Sequence, residues 1–251
     1  MIEARDIRHS YGDNLILDGI DITLPSHGMV ALLGPNGSGK TTLLRALYGS
    51  LKASGAVLID SVALNDIPRK ELAKKLAVVV QESASELPMT VADVVALGRL
   101  PHKKLTQRST KDDNAIIAKA IIHMGIEHLA ERDYSQLSGG ERQRTLIARA
   151  LAQESKYILL DEPTNHLDIR YQHEVLHRVA ELDGAAILVL HDLNLAARYC
   201  DTIVVMHNKK VLAVGTPHEV FTPEILEPVY GVKVTRNDYG DRVNLIFDRE
   251  D

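Results

Sequence analysis

Cys200 is the only cysteine in 251 residues. An intramolecular disulfide framework is therefore excluded, and the count suits a reducing compartment in which the thiol acts as a small buried hydrophobe. No apolar run approaches the roughly 20 residues that a spanning helix requires. The opening residues also lack the charged, apolar, small-residue order of a signal peptide. The expectation is a chain that neither crosses a membrane nor leaves the cytoplasm. Basic clusters are missing too: 29 Lys and Arg stand against 34 Asp and Glu, for a formal charge of -5. Spread along the chain, they make no cationic surface for phosphodiesters, so nucleic acid is not expected as a partner. Internal repeats, low-complexity segments and flexible linkers are likewise lacking. What is present, 45% hydrophobic and 25% charged residues, is ordinary globular usage with enough apolar material for a substantial core.

Short apolar runs recur at residues 29–33, 77–80, 157–160, 186–190 and 203–206. Each is too short for a typical helix, and most precede helix-patterned sequence. The pattern predicts buried, mainly parallel strands joined by crossover helices, an α/β core. Residues 2–11 and 15–24 alternate instead, around the turn formers Gly12, Asp13 and Asn14, which predicts an antiparallel hairpin at the edge. Between 88 and 149 no strand is expected. Helical stretches run over 91–100, over 112–124 with Ile116, Ile117, Ala120 and Ile121 on one face, and over 141–152. This insert is too short and too poor in heptads for a coiled-coil arm. The last forty or so residues alternate weakly and end on an acidic 248–251, which reads as a small appendix with a solvated tail. The chain is thus expected as one domain, 1–251, with a core of 1–87 and 150–251 and a helical subdomain of 88–149.

Gly34-Pro35-Asn36-Gly37-Ser38-Gly39-Lys40-Thr41 follows one apolar strand and opens a helix, the context a phosphate-binding loop requires. Glycines at 34, 37 and 39 let backbone N–H groups curl round phosphate oxygens, and the helix start adds its dipole. Lys40 supplies a point charge, Thr41 a hydroxyl for magnesium, and Thr42 a further donor to phosphate. A plain strand-to-helix turn would need neither the lysine nor the hydroxyl beside it. The strand at 157–160 runs into Asp161 and Glu162. Strand ends of an open α/β sheet gather ligands at one edge, so Asp161 is assigned to the metal and Glu162 to the attacking water as general base. A third strand ends at His191. Alone it reads as a strand-end residue before the helix cap Asp192; beside two other nucleotide-bearing strand ends it reads as a contact to the γ-phosphate or the water.

Leu137-Ser138-Gly139-Gly140-Glu141 opens another helix, with Ser138 as cap and two glycines that allow close backbone approach. Chemically it is a second anion-binding helix start, or by itself simply a capped one. GPNGSGKTT, LSGGERQR and ILLDEPTNHLD in that order resemble the ATP-binding-cassette (ABC) ATPases through nearly the whole chain. The resemblance implies a P-loop NTPase core with a mainly parallel sheet, an antiparallel edge subdomain and a helical insert. It implies ATP and Mg2+ as cofactors. It also implies that Tyr11 stacks on adenine, against the alternative of an edge-strand core tyrosine, and that Gln81 touches magnesium and the water while sensing a membrane partner. Residues 165–168 resemble the loop that links two active sites, with Asp168 near ATP. The family works as a head-to-tail homodimer, in which Ser138, Gly139 and Gly140 of one chain close over ATP held by the phosphate loop of the other.

LPMTVADVVALGRLPH at 87–102, PTNHLD at 163–168, HDLNLAARY at 191–199 and the ending from Gly215 to Val232 resemble ATPases of importers for ferric siderophores, haem or vitamin B12. Ferric siderophore is favoured, because PTNHLD and GRLPH together resemble that branch. The resemblance implies two transmembrane permease subunits, an extracytoplasmic substrate-binding protein acting indirectly, and a peripheral place on the cytoplasmic face. Two rivals are weighed. His173-Glu174-Val175-Leu176-His177 matches the HExxH zinc motif, but with 11 histidines in the chain a chance match carries weight, and no third ligand is evident. A free-standing cassette of iron–sulfur cluster assembly fits the length, but not the GRLPH segment or the ending.

Overall fold

The computed structural model describes residues 1–80, 88–104, 108–240 and 242–249. The chain divides into two compact units, residues 1–67 with 185–251, and residues 68–184. The first unit begins with β1 (Ile2–Tyr11), β2 (Asn14–Leu24), β3 (Gly28–Leu33), α1 (Lys40–Leu47), β4 (Ser54–Ile59) and β5 (Val62–Ala63). The second holds α2 (Arg69–Lys75), β6 (Leu76–Val79), α3 (Val91–Ala96), α4 (Lys111–His123), α5 (Gly139–Ala152), β7 (Tyr157–Asp161) and α6 (Ile169–Ala180). The chain returns to the first unit through β8 (Ala185–Val189), α7 (Leu193–Tyr199), β9 (Thr202–His207), β10 (Lys210–Gly215), α8 (Pro217–Val220), α9 (Pro223–Tyr230), β11 (Lys233–Tyr239) and β12 (Arg242–Asp248).

Every apolar run forms a strand within a residue of its expected limits, and the parallel pairing is present. In the first unit β3 lies between β8 and β9 and runs parallel to both, with Leu32 opposite Val189 and Val204. Val30, Ala31, Leu32 and Leu33 are fully buried, as a strand covered on both faces must be. In the second unit β6 and β7 are parallel, with Val79 opposite Leu160. The chain is therefore α/β, with mostly parallel strands in its main sheet and a separate antiparallel sheet. That second sheet contains the expected hairpin, β1 against β2, closed by Gly12 and Asp13 alone because Asn14 already pairs with Tyr11. The hairpin is not a lone ribbon, since β4 adds to the far side of β1.

Other elements were not anticipated. β4 begins on Ser54-Gly55, which mutes its strand signal. Gly55 is nonetheless required: its φ is 88°, and a Cβ there would sit 2.3 Å from the Asp6 carbonyl oxygen, where the β1–β4 register slips. β10 turns back antiparallel on β9. The appendix folds as α8, α9 and the hairpin of β11 with β12. The predicted helix over 91–100 stops at Ala96 and continues as a 3-10 segment to His102 that contains Pro101. Cys200 is buried, and desolvation raises its thiol pKa. Among the described residues no helix is long and apolar enough to cross a membrane.

The second unit is held by a buried charge. Arg99 and Asp113 are 6% and 5% exposed, and Arg99 Nε donates to Asp113 Oδ1 at 2.9 Å. Arg99 Nη1 also donates to the Ala152 carbonyl (2.9 Å) and to Glu154 (2.8 Å), so one guanidinium joins the 3-10 segment, the start of α4 and the end of α5. At Gly98 a Cβ would lie 2.2 Å from the Arg149 carbonyl oxygen, so only glycine permits this approach to α5. Backbone and hydroxyl donors from Thr110, together with Arg99, hold the Asp113 carboxyl well below the usual carboxylate range. Removing one partner of a buried pair costs about 3–5 kcal/mol. Arg99→Met is thus expected to lose stability on that scale in urea unfolding at pH 7. Because the folded Asp113 pKa is depressed, its contribution is complete above the ordinary carboxylate pKa and fades as pH falls toward the folded value. The gap between wild type and Asp113→Asn should therefore narrow below about pH 4.

Candidate functional site

In the first unit, β3 ends at Leu33 and the chain turns through Gly34, whose φ of 143° few side-chain-bearing residues adopt. A Cβ at Gly34 would sit 2.2 Å from the Met206 carbonyl oxygen of β9 and 2.8 Å from Ser38 Oγ. The loop therefore folds against its neighbouring strand by lacking a side chain there. Gly37 and Gly39 are also at positive φ, so Pro35, Asn36, Gly37, Ser38 and Gly39 curl into the start of α1. That start carries no side-chain cap and no acidic residue in its first turn, which leaves the positive end of the helix dipole uncompensated from within. Lys40 is 6% exposed, and its ammonium donates to the carbonyls of Gly34 (2.8 Å) and Pro35 (3.0 Å). The Ser38 hydroxyl is buried with no hydrogen-bond partner among the described residues. An orphaned hydroxyl, a buried ammonium and an uncapped helix start converge on one chemistry, the binding of a phosphate group. Thr41 and Thr42 follow in the first turn of α1, half-buried.

The same unit brings His191 to this edge. β8 is the parallel neighbour of β3, and the Leu190 N–H donates to the Leu32 carbonyl at 3.3 Å, so both chains leave the sheet at one level. His191 is exposed, and Asp192 caps α7 by accepting from the Leu195 N–H at 2.9 Å. Tyr11, at the end of β1, is 53% exposed rather than a core residue. Its ring stands edge-on to His9 with centroids 4.6 Å apart, and His9 Nδ1 lies 2.8 Å from the Lys52 carbonyl oxygen.

In the second unit, β7 delivers Asp161, 7% exposed, and then Glu162. Glu162 has a φ of 52°, a left-handed conformation that costs a non-glycine residue about 1–3 kcal/mol and gathers at functional sites. Asn165 pays no attention to solvent alone: its N–H donates to the Glu162 carbonyl (3.1 Å) and its Nδ2 to Glu162 Oε2 (2.9 Å). Sequence reading placed Asn165 only in a connecting loop and missed this hold on the carboxylate. The three-residue spacing was the signal available. Gln81, two positions past the end of β6 in sequence, lies outside the described residues.

Ser138 caps α5 within a complete capping box. Its N–H and hydroxyl both donate to Glu141 Oε2 at 2.8 Å, and Glu141 N returns a bond to Ser138 Oγ at 3.4 Å. Those Ser138 donors, with Arg132 and Arg144 nearby, lower the Glu141 pKa. Beside this start is a cleft of about 240 Å3 lined by Ser138, Gly139, Gly140, Asp168, Arg144 and Tyr171 among others. Arg144 is buried, with its guanidinium 5.2 Å from the centre of the Tyr171 ring. Two small residues and a cation suit an anionic guest. The HExxH residues lie on α6, where Glu174 binds Arg178 at 3.2 Å and His177 is 3.5 Å from Glu181. Among the described residues no group of three or more His, Cys, Asp or Glu is arranged to hold a metal ion.

Comparison with known proteins adds an independent line. The ABC transporter family matches residues 17–165. The hemin import ATP-binding protein HmuV of Pseudomonas aeruginosa is 41% identical, over 96% of this chain and 97% of that protein. The ferric enterobactin transport ATP-binding protein FepC of Escherichia coli is 38% identical, over 92% and 88%. Among solved structures, one of an ABC transporter described as of metal-chelate type, in an inward-facing conformation, superposes with a TM-score of 0.83 at 26% identity, covering 98% of this chain and 96% of that one. A dimeric ATP-binding cassette in a post-hydrolysis state, bound to ADP and Pi, gives 0.73 at 28% identity, covering 86% and 99%.

The Gly34 geometry yields a direct test. A methyl group there meets the Met206 carbonyl and a disfavoured φ together, a strain of about 1–3 kcal/mol. Gly34→Ala should weaken the binding of a triphosphate ligand by about 5- to 100-fold in calorimetric titration. Unchanged affinity would remove the loop from the binding site.

Proposed function

The chain belongs to the ABC transporter family, whose ATPase cassette it carries, and we propose that it energises an importer of ferric siderophores or a related iron chelate. Gly34, Pro35, Asn36, Gly37, Ser38, Gly39, Lys40 and Thr42 hold the phosphates of ATP, and Tyr11 stacks on adenine. Glu162, held by Asn165, accepts a proton from the attacking water. His191 contacts the γ-phosphate or that water, and Gln81 shares the task. Magnesium wants hard oxygen donors, and the Thr41 hydroxyl and buried Asp161 carboxylate are of that kind, with Gln81 a further ligand. When bound, the ion neutralises charge on the β- and γ-phosphates. Ser138, Gly139 and Gly140, with Asp168 beside them, reach the ATP of a second copy in a head-to-tail dimer.

The observation that carries this reading is the likeness to importer ATP-binding proteins across nearly the whole chain, motifs and ending included. Its partners are then two permease subunits, on the cytoplasmic face of a membrane, and indirectly an extracytoplasmic substrate-binding protein. The segment 87–101, around Met89, offers the permease contact. Haem is the second reading of the cargo, favoured by the higher identity of the haemin relative. No residue of this chain touches the cargo on either reading.

Two experiments test the proposal. Glu162→Gln should keep ATP affinity while turnover falls by roughly 10² or more, and it should accumulate an ATP-dependent dimer on size exclusion. Adding Ser138→Arg should abolish that dimer with monomer affinity unchanged; loss of monomer affinity instead would mean a self-contained site. In cells, loss of this chain should stop uptake of a ferric siderophore. Loss of haemin uptake alone moves the cargo to haem, and co-purification with a soluble scaffold rather than a permease overturns import.

A further inference from the structure

The C-terminal hairpin is fastened to the helix that follows His191. Asn194, in the first turn of α7, aims its side-chain amide at the backbone of β12: Nδ2 donates to the Leu245 carbonyl at 3.0 Å, and the Leu245 N–H donates to Oδ1 at 2.8 Å. Among the described residues β12 pairs with β11 along one edge only. Asn194 therefore satisfies both backbone groups of Leu245 on the other edge, as a one-residue neighbouring strand would. Beneath the clasp, Leu193, Leu195 and Ala196 of α7 are buried, as are Val243 and Leu245 of β12. α7 and β12 pack against each other, and this apolar packing seats the hairpin. Two hydrogen bonds from a half-buried amide add little stability beside it; what they add is direction, because an amide meets a peptide group in one orientation.

The hairpin is itself anchored. Arg236 of β11 grips Asp238 with two nitrogens (2.8 and 3.0 Å) and donates to the His218 carbonyl of α8 at 2.7 Å. At the end of α9, Tyr230 hydrogen-bonds the Gly34 backbone, so the appendix also reaches the phosphate loop. From Leu245 the line runs through Asn194 to the first turn of α7, to its cap Asp192, and to His191.

We infer that the C-terminal hairpin is a positioning element of the nucleotide site, with Asn194 as the residue that sets where His191 stands. The inference rests on the reading of His191 as a contact to the γ-phosphate or the attacking water. Asn194 touches neither; it acts through the start of α7. Losing the clasp lets that turn shift on its apolar bed. The chemical step then suffers, while ATP binding at Tyr11 and the phosphate loop does not.

The test compares the full-length chain with Asn194→Ala, Asn194→Asp, His191→Ala and the double variant His191→Ala/Asn194→Ala, each confirmed folded by circular dichroism. Asn194→Ala is expected to lower kcat about 10-fold with KM for ATP within about 2-fold, below the ~10² that a 1 Å misplacement can cost. Asn194→Asp keeps the acceptor for the Leu245 N–H and loses the donor, so it should fall between Asn194→Ala and wild type; it carries the test if the alanine variant does not fold. In the His191→Ala background, Asn194→Ala should cause no further loss. Native kcat in both Asn194 variants, or a full additional loss in the double variant, overturns the clasp while leaving the site reading intact. Native kcat in His191→Ala overturns the site reading and the inference with it.

Discussion

A lysine ammonium buried to 6% exposure must be compensated, and how Lys40 is compensated governs much of the first unit. Its ammonium donates to the carbonyls of Gly34 and Pro35, which tie the side chain back to the start of its own loop. The loop so drawn in is concave, its glycines at positive φ and its helix start uncapped, an arrangement that an anion completes. The curl that presents those carbonyls exists because Gly34 lies against the Met206 carbonyl of β9. That contact in turn requires β9 to run parallel beside β3, with Leu33 opposite Val205. The buried strand core, through Val30 to Leu33, fixes that register, because a slip by one residue would exchange the side chains of its two faces. One buried charge thus ties hydrophobic burial in the sheet to ligand chemistry at its end.

The second unit answers a buried charge in the opposite way. Arg99 meets formal anions, Asp113 through Nε and Glu154 through Nη1, and Nη1 also meets a carbonyl, so its charge is answered within the protein. Burial of a cation does not by itself mark a site. What separates the two sites is the buried Ser38 hydroxyl beside Lys40, which has no hydrogen-bond partner among the described residues.

Much of this was legible in the sequence, for reasons that differ by element. Fully buried strands read as unbroken apolar runs, so β3, β7, β8 and β9 were found with small errors at their ends. The first hairpin was legible from alternation and Gly12-Asp13. β4 was not, since the Gly55 needed for the bulge opposite β1 weakens strand propensity where the strand begins. β11 and β12 gave only weak alternation because a two-stranded ribbon buries few positions, among them Val234, Val243 and Leu245. At the site, the curl through Gly34, Gly37 and Gly39 was legible from their spacing, because each stands where the backbone takes a positive φ. The hold of Asn165 on Glu162 was not, since it depends on a left-handed φ at Glu162 that side-chain identity does not announce. The Asn194 clasp was equally silent: it bonds the backbone of residue 245, so no side chain there announces it.

The start of α5 shows why a proposed shared site can be dormant in a single chain. The Ser138 N–H and hydroxyl are both engaged with Glu141, whose carboxylate already supplies the negative charge that a helix start favours. A lone chain therefore exposes no unsatisfied donor at Ser138. A phosphate arriving from a second copy must displace the hydroxyl from Glu141, an exchange of one charge-assisted hydrogen bond for another and so nearly neutral by itself. Gly139 and Gly140 contribute backbone approach, and Arg144 contributes charge from the cleft wall. The net drive for closure then has to come from the full charge of a triphosphate rather than from the serine. On the proposed reading that is the property required: nucleotide presence, and not the protein surface alone, decides whether two chains close.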